Sequence, residues 1–187
     1  MLRKWAVPAL ALSLALCGLA GAATTDSVNI TVTVRYLSLT VAEDTIPLGT
    51  VMAGSDTVSA VVNVANDGNM AQDFGLRISA TTPAADWTAG ATKGDSGENK
   101  FALLARFVAD GAAAPAAGDF AAAAPDVVPV QGAPKWCDGA VFGAGGSNVA
   151  AAGQLDLYFL FQAPTKVTGD HSAEEHSIEV EASCRAH

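Results

Sequence analysis

Val28-Asn29-Ile30-Thr31-Val32-Thr33-Val34 sets a β-branched aliphatic at every second position and a polar residue between each pair. Side chains alternate across a strand, so this pattern offers one apolar face to a core and one polar face to water. β-Branched residues also fit a pleated backbone better than a helix. The period recurs downstream. After a phase shift at Arg35-Tyr36, which predicts a bulge or bend, Tyr36 to Val41 continues extended. Ile46 to Val51, Val58 to Val64, Phe74 to Ile78, Phe101 to Val108 and Ser177 to Cys184 read as further strands, with Pro47 marking an edge. Leu155-Asp156-Leu157-Tyr158-Phe159-Leu160-Phe161 is the most apolar of them and is expected at the centre of a sheet.

Between these segments lies turn chemistry. Asn66-Asp67-Gly68-Asn69 gathers residues that tolerate the positive φ of tight turns. Residues 81–100 loosen around a single large side chain, Trp87. Residues 109–125 approach low complexity, and Gly111, Pro115 and Gly118 interrupt their alanine-rich helical tendency. Only Asp119 to Ala124 predicts a turn of helix. Seven to nine short strands with no sustained helical period predict an all-β chain: a single antiparallel β-sandwich, immunoglobulin-like or jelly-roll.

The first residues set the expected compartment. Arg3 and Lys4 precede an apolar run from Trp5 to Leu19, and Ala20-Gly21-Ala22 supplies small residues for a signal peptidase. This is the pattern of a cleaved secretory signal over 1–22, leaving a β-sandwich domain over 23–187. The rival is a membrane anchor, for which the apolar run is short against a bilayer core of about 30 Å. Cys17 suggests a lipobox, but Leu16 stands where such a motif wants a small residue.

Without Arg3 and Lys4, eight basic residues face nineteen acidic ones, a formal charge of −11. Such a surface repels nucleic-acid phosphates and anionic membranes, so neither is an expected partner. Loss of Cys17 leaves Cys137 and Cys184. An even pair in an exported chain reads first as a disulfide, closing a loop worth about 3–4 kcal/mol. A metal site using Cys184 with His187, or a redox pair, is the alternative, and no C-x-x-C spacing supports either.

Catalytic signatures are missing from the sequence: no G-x-S-x-G, H-E-x-x-H, phosphate loop or dinucleotide fingerprint occurs. All three histidines lie at or beyond His171. Asp170-His171-Ser172-Ala173-Glu174-Glu175-His176 is the densest polar cluster, yet three consecutive residues cannot converge as a triad, and histidines five apart share no helix or strand face. A solvated loop accounts for it. Asp95-Ser96-Gly97-Glu98-Asn99 is acidic but misses the EF-hand spacing. Trp87 and Trp136 are the candidates for an aromatic sugar platform, against the alternative of plugging the core under long loops. Asn29-Ile30-Thr31 forms a glycosylation sequon inside an expected strand.

Leu48-Gly49-Thr50-Val51, Val62-Asn63-Val64-Ala65-Asn66-Asp67-Gly68-Asn69 and Leu76-Arg77-Ile78 together resemble prokaryotic exported immunoglobulin-like surface domains, loosely of the camelysin/TasA fibre-subunit type. The resemblance spans residues 46–79; a cysteine pair and alanine-rich loops depart from it. Chaperone-assembled pilins share the cysteine pair and the alternating first strand but not the ending Cys184-Arg185-Ala186-His187. Either resemblance implies a structural role.

The expectation is therefore a secreted, cell-surface or periplasmic structural protein with no catalytic site, cofactor or metal. Its partners would be copies of itself or other surface proteins, with no membrane span after cleavage. Val28, Ile30, Val32 and Val34 form the candidate assembly strand, since a first strand can pair in its own sheet or at a neighbour's open edge. The competing expectation is a carbohydrate- or calcium-binding extracellular module.

Overall fold

The computed structural model describes residues 29–82, 87–121, 126–130, 132–168 and 175–187. The expected signal peptide at 1–22 and Val28 lie outside them. The chain divides into a segment ending at Thr33 and a body running from Val34 to His187. In the segment, residues 29–33 are exposed and carry no regular secondary structure.

The body is built from β1 (Leu39–Val41), β2 (Asp56–Val58), β3 (Val62–Asn66), β4 (Gln72–Thr82), β5 (Thr88–Ala89), β6 (Lys100–Ala109), β7 (Lys135–Trp136), β8 (Gln154–Gln162) and β9 (Ser177–Ala186). One sheet runs β1-β3-β8-β6-β5, with β2 also on β8; the other runs β7-β4-β9. Every ladder is antiparallel except the short β5–β6 pair. The protein is all-β.

Central placement of Leu155 to Phe161 holds, because β8 carries β2 and β3 on one side and β6 on the other. Its near-continuous apolar run has a physical cause. On one face Leu157, Phe159 and Phe161 join Phe101, Leu103, Ala105 and Phe107 of β6 and Phe74, Leu76 and Ile78 of β4 in the core shared by both sheets. On the other face Tyr158 and Leu160 meet Ala102 and Leu104 of β6 in a second cluster, closed by Phe120 and Val127. The described part of the alanine-rich stretch is thus a cover, anchored by Phe120 at 1% exposure. Strands buried on both faces lose the polar alternation of a half-wetted sheet.

Several expected elements differ. Val58 to Val64 is two strands, because Ser59 interrupts it: its N–H donates to the Phe159 carbonyl (2.8 Å) while its Oγ accepts the Phe159 N–H (2.9 Å). Ile46 to Val51 is no strand; Ile46, Leu48 and Val51 instead lay partly buried side chains on the core. Of the expected Asp119–Ala124 helical turn, a 3-10 turn occupies Ala117–Asp119, and residues 122–125 lie outside the described residues. Most consequential, Asn29 to Val34 is in no strand. Alternation gives a segment the capacity to pair but does not by itself choose a partner.

The expected Cys137–Cys184 disulfide is also corrected: both cysteines are free. Trp136 faces Gly75 in the β7–β4 ladder, and the Cys137 N–H donates to the Phe74 carbonyl (2.8 Å). Cys184 faces Phe74 from the other side, in β9. Strands stand about 4.8 Å apart, so the two cysteines are separated by two spacings, about 9–10 Å. A disulfide needs Cα atoms within about 7 Å.

Candidate functional site

The motif around Asn66 builds the root from which the alternating segment departs. Asn66, at 0% exposure, ends β3. Its side-chain amide donates to the carbonyls of Met70, Val149 and Ala150 at 2.9–3.0 Å, and its Oδ1 accepts the Gly68 N–H at 2.9 Å. A Cβ on Gly68 would collide with the Gln72 amide and approach the Tyr36 carbonyl to 2.8 Å. Glycine here lets the incoming chain lie close against the turn.

Asn69 then grips that chain. Its Oδ1 accepts the Tyr36 N–H (2.9 Å), its amide donates to the Val34 carbonyl (2.7 Å), and its own N–H reaches the Tyr36 carbonyl (3.3 Å). The Asp67 N–H bonds the Ser38 carbonyl (3.1 Å), and the Thr40 hydroxyl donates to the Asp67 carboxylate. A side-chain amide with one donor and one acceptor mimics a strand's pairing for two residues. Val34 itself is 70% exposed, and upstream of it Ile30 is 79% and Val32 75% exposed. Large aliphatics at every second position of an exposed segment are the apolar surface most in need of explanation here.

A second polar centre, missed in the sequence, surrounds Asp73. Asp73 is 5% exposed. It accepts from the Asn148 N–H (3.0 Å), Ser147 Oγ (3.1 Å) and Arg185 Nε (3.2 Å), and meets His187 Nδ1 at 2.7 Å. Burial alone would raise its pKa, but the Asn148 N–H, His187, Ser147 and Arg185 outweigh burial and hold it at about 2. In a hydrolytic triad the imidazole stands between hydroxyl and carboxylate. Here the carboxylate stands between the other two, so Ser147 donates to an acid and gains no base. The centre is a clamp on β9 and the chain end.

Both described tryptophans, Trp87 and Trp136, are packed. His176 stacks on Trp87 with ring centroids 3.9 Å apart and planes 8° apart, and Phe101 and Phe161 lie at 6.4 and 6.1 Å. Trp136 sits over Gly75, where a Cβ would come within 2.7 Å of its ring, and the Arg185 guanidinium lies 4.8 Å from its centroid. Cys137, sealed at 1% exposure, has its thiol pKa pushed to about 12, chiefly by burial and then by the Asp73 charge.

The acidic turn is spoken for. Asp95 pairs with Lys100 (2.7 Å) and accepts the Ala91 N–H (2.8 Å), while Glu98 pairs with Lys166 (3.3 Å). Of the cluster 170–176, residues 170–174 lie outside the described residues. Among the described residues, no three His, Cys, Asp or Glu gather as a metal site, and no helix is long and apolar enough to cross a membrane.

Comparison with family models and with curated proteins found no match to this chain.

Proposed function

We propose that this chain is an exported structural subunit, an immunoglobulin-like sandwich with a cleaved leader over 1–22, that assembles with copies of itself through its amino-terminal strand. The observation that carries this reading is the exposure of Ile30, Val32 and Val34, 70–79% on an alternating segment that belongs to no strand. Full burial of one such side chain is worth about 1.5–3 kcal/mol, and strand addition also satisfies the segment's main-chain N–H and C=O groups. The acidic surface keeps subunits soluble before they meet. The setting is the cell surface, the medium or the periplasm.

The test uses residues 23–187 of the chain, followed by light scattering and negative-stain microscopy as concentration rises. Polymers are expected. The double variant Ile30→Asp/Val32→Asp should remain monomeric with an unchanged far-ultraviolet circular dichroism spectrum. A wild-type protein that stays monomeric at high concentration overturns the reading.

A further inference from the structure

We infer that the acceptor for this segment is the free edge of β9 in a second copy, so that assembly extends the β7-β4-β9 sheet by one strand. This rests on the self-assembly reading above and names its partner surface. The choice follows from comparing edges. β1 is three residues long and β5 and β7 two each. β9 is ten residues long, pairs with β4 along its length, and has no strand on its other side among the described residues. β1 approaches β9 but takes its hydrogen bonds from β3.

The side chains beside that edge report the same vacancy. Ile178, Val180, Ala182 and Cys184 pack on the shared core, yet all four stay half-buried. On neighbouring β4, Phe74, Leu76 and Ile78 face the same core at 0–1% exposure. The difference is lateral: β4 is flanked on both sides, and β9 on one. Across the opening, Leu39 is only half-buried and Val41 is 39% exposed. The result is an incompletely covered apolar edge along β9, the slot that an added strand would fill.

The amino-terminal segment matches it in period and charge. Ile30, Val32 and Val34 recur every second residue, about 6.7 Å, as do Ile178, Val180 and Ala182. Laid beside β9, the aliphatics of the segment would enter the slot and Asn29, Thr31 and Thr33 would face outward with Glu179 and Glu181. Between Ser27 and Ala42 the sole charged residue is Arg35, so the donor brings a cation and no acid to that row. A second β9 would instead bring its own acids to that row; Glu181 is paired with Arg77 (2.6 Å), so the like-charge repulsion falls chiefly on Glu179.

The experiment separates this inference from the reading beneath it. Hydrogen exchange compares wild-type assemblies with the monomeric Ile30→Asp/Val32→Asp variant. Amides of 29–34 and of 177–184 should both slow, by about tenfold or more, on assembly. Protection of 29–34 without protection of 177–184 overturns β9 as acceptor and leaves self-assembly standing. Protection of 177–184 alone points to β9–β9 pairing and also overturns it. A mixing test adds an independent readout. Val180→Asp blocks the slot and Ile30→Asp/Val32→Asp blocks the donor; each alone should be monomeric, and their mixture should give heterodimers. If folded Val180→Asp protein still polymerises alone, the inference fails. The exchange measurement needs no β9 variant, so it decides the matter even where Val180→Asp does not fold.

Discussion

Asn69 and Val34 are joined by a 2.7 Å hydrogen bond from the side-chain amide to the main-chain carbonyl, across 35 residues of sequence. With the return bond from the Tyr36 N–H, it fixes the point where the alternating segment leaves the body. Asn69→Ala removes both bonds at an exposed site and should cost about 1–2 kcal/mol in urea unfolding. Asn69→Asp keeps the acceptor but loses the donor, so it should fall between wild type and alanine.

The thiols should be countable. Denatured without reductant, residues 23–187 should release two titratable thiols from Cys137 and Cys184, as their placement on either side of Phe74 requires. In the native protein, half-buried Cys184 should react first and Cys137 only on unfolding, its pKa of about 12 leaving almost no thiolate at neutral pH. Recovery of a linked Cys137–Cys184 peptide would contradict this arrangement.

Asp73 should dominate the acid limb of stability. Its carboxyl is held at about 2 in the folded protein against an ordinary 3.8. The unfolded chain therefore takes up the proton first as pH falls, and stability declines with it. The contribution, about 2 kcal/mol, is complete above the ordinary value and is lost between about pH 4 and 2. Urea midpoints measured across that window should fall for wild type and much less for Asp73→Asn, which should already be weakened at pH 7.

Phe120 tests the alanine-rich cover. It is 1% exposed and closes the cluster behind β6 and β8. Phe120→Ala should cost about 3–5 kcal/mol, as a core deletion does, although its neighbours in sequence look like a linker. A loss below about 0.5 kcal/mol would place this segment off the sheet.

Four of the expected strands were legible from the chain alone, although the most regular alternation, Asn29 to Val34, was not among them. Phe74 to Ile78, Phe101 to Val108, Leu155 to Phe161 and Ser177 to Cys184 all lie in strands, and the Asn66-to-Asn69 turn is where its residue types place it. Ile46 to Val51 misled because apolar residues at intervals can pack on a core from irregular backbone. The Asp73 clamp gave no local signal, since its members come from positions 73, 147, 148, 185 and 187.

Sequence by itself determined the period-2 chemistry: which segments can be strands, which side of each is apolar, and where tight turns fall. These are properties of neighbouring residues and of the pleated backbone. Tertiary structure decided which edges are filled. Nothing local distinguishes Asn29 to Val34, left outside every strand, from Val62 to Asn66, paired on both sides. Nor does spacing reveal that Phe74 stands between Cys137 and Cys184. Pairing and disulfide geometry depend on distances between strands remote in sequence, and only the packing of the two sheets sets them.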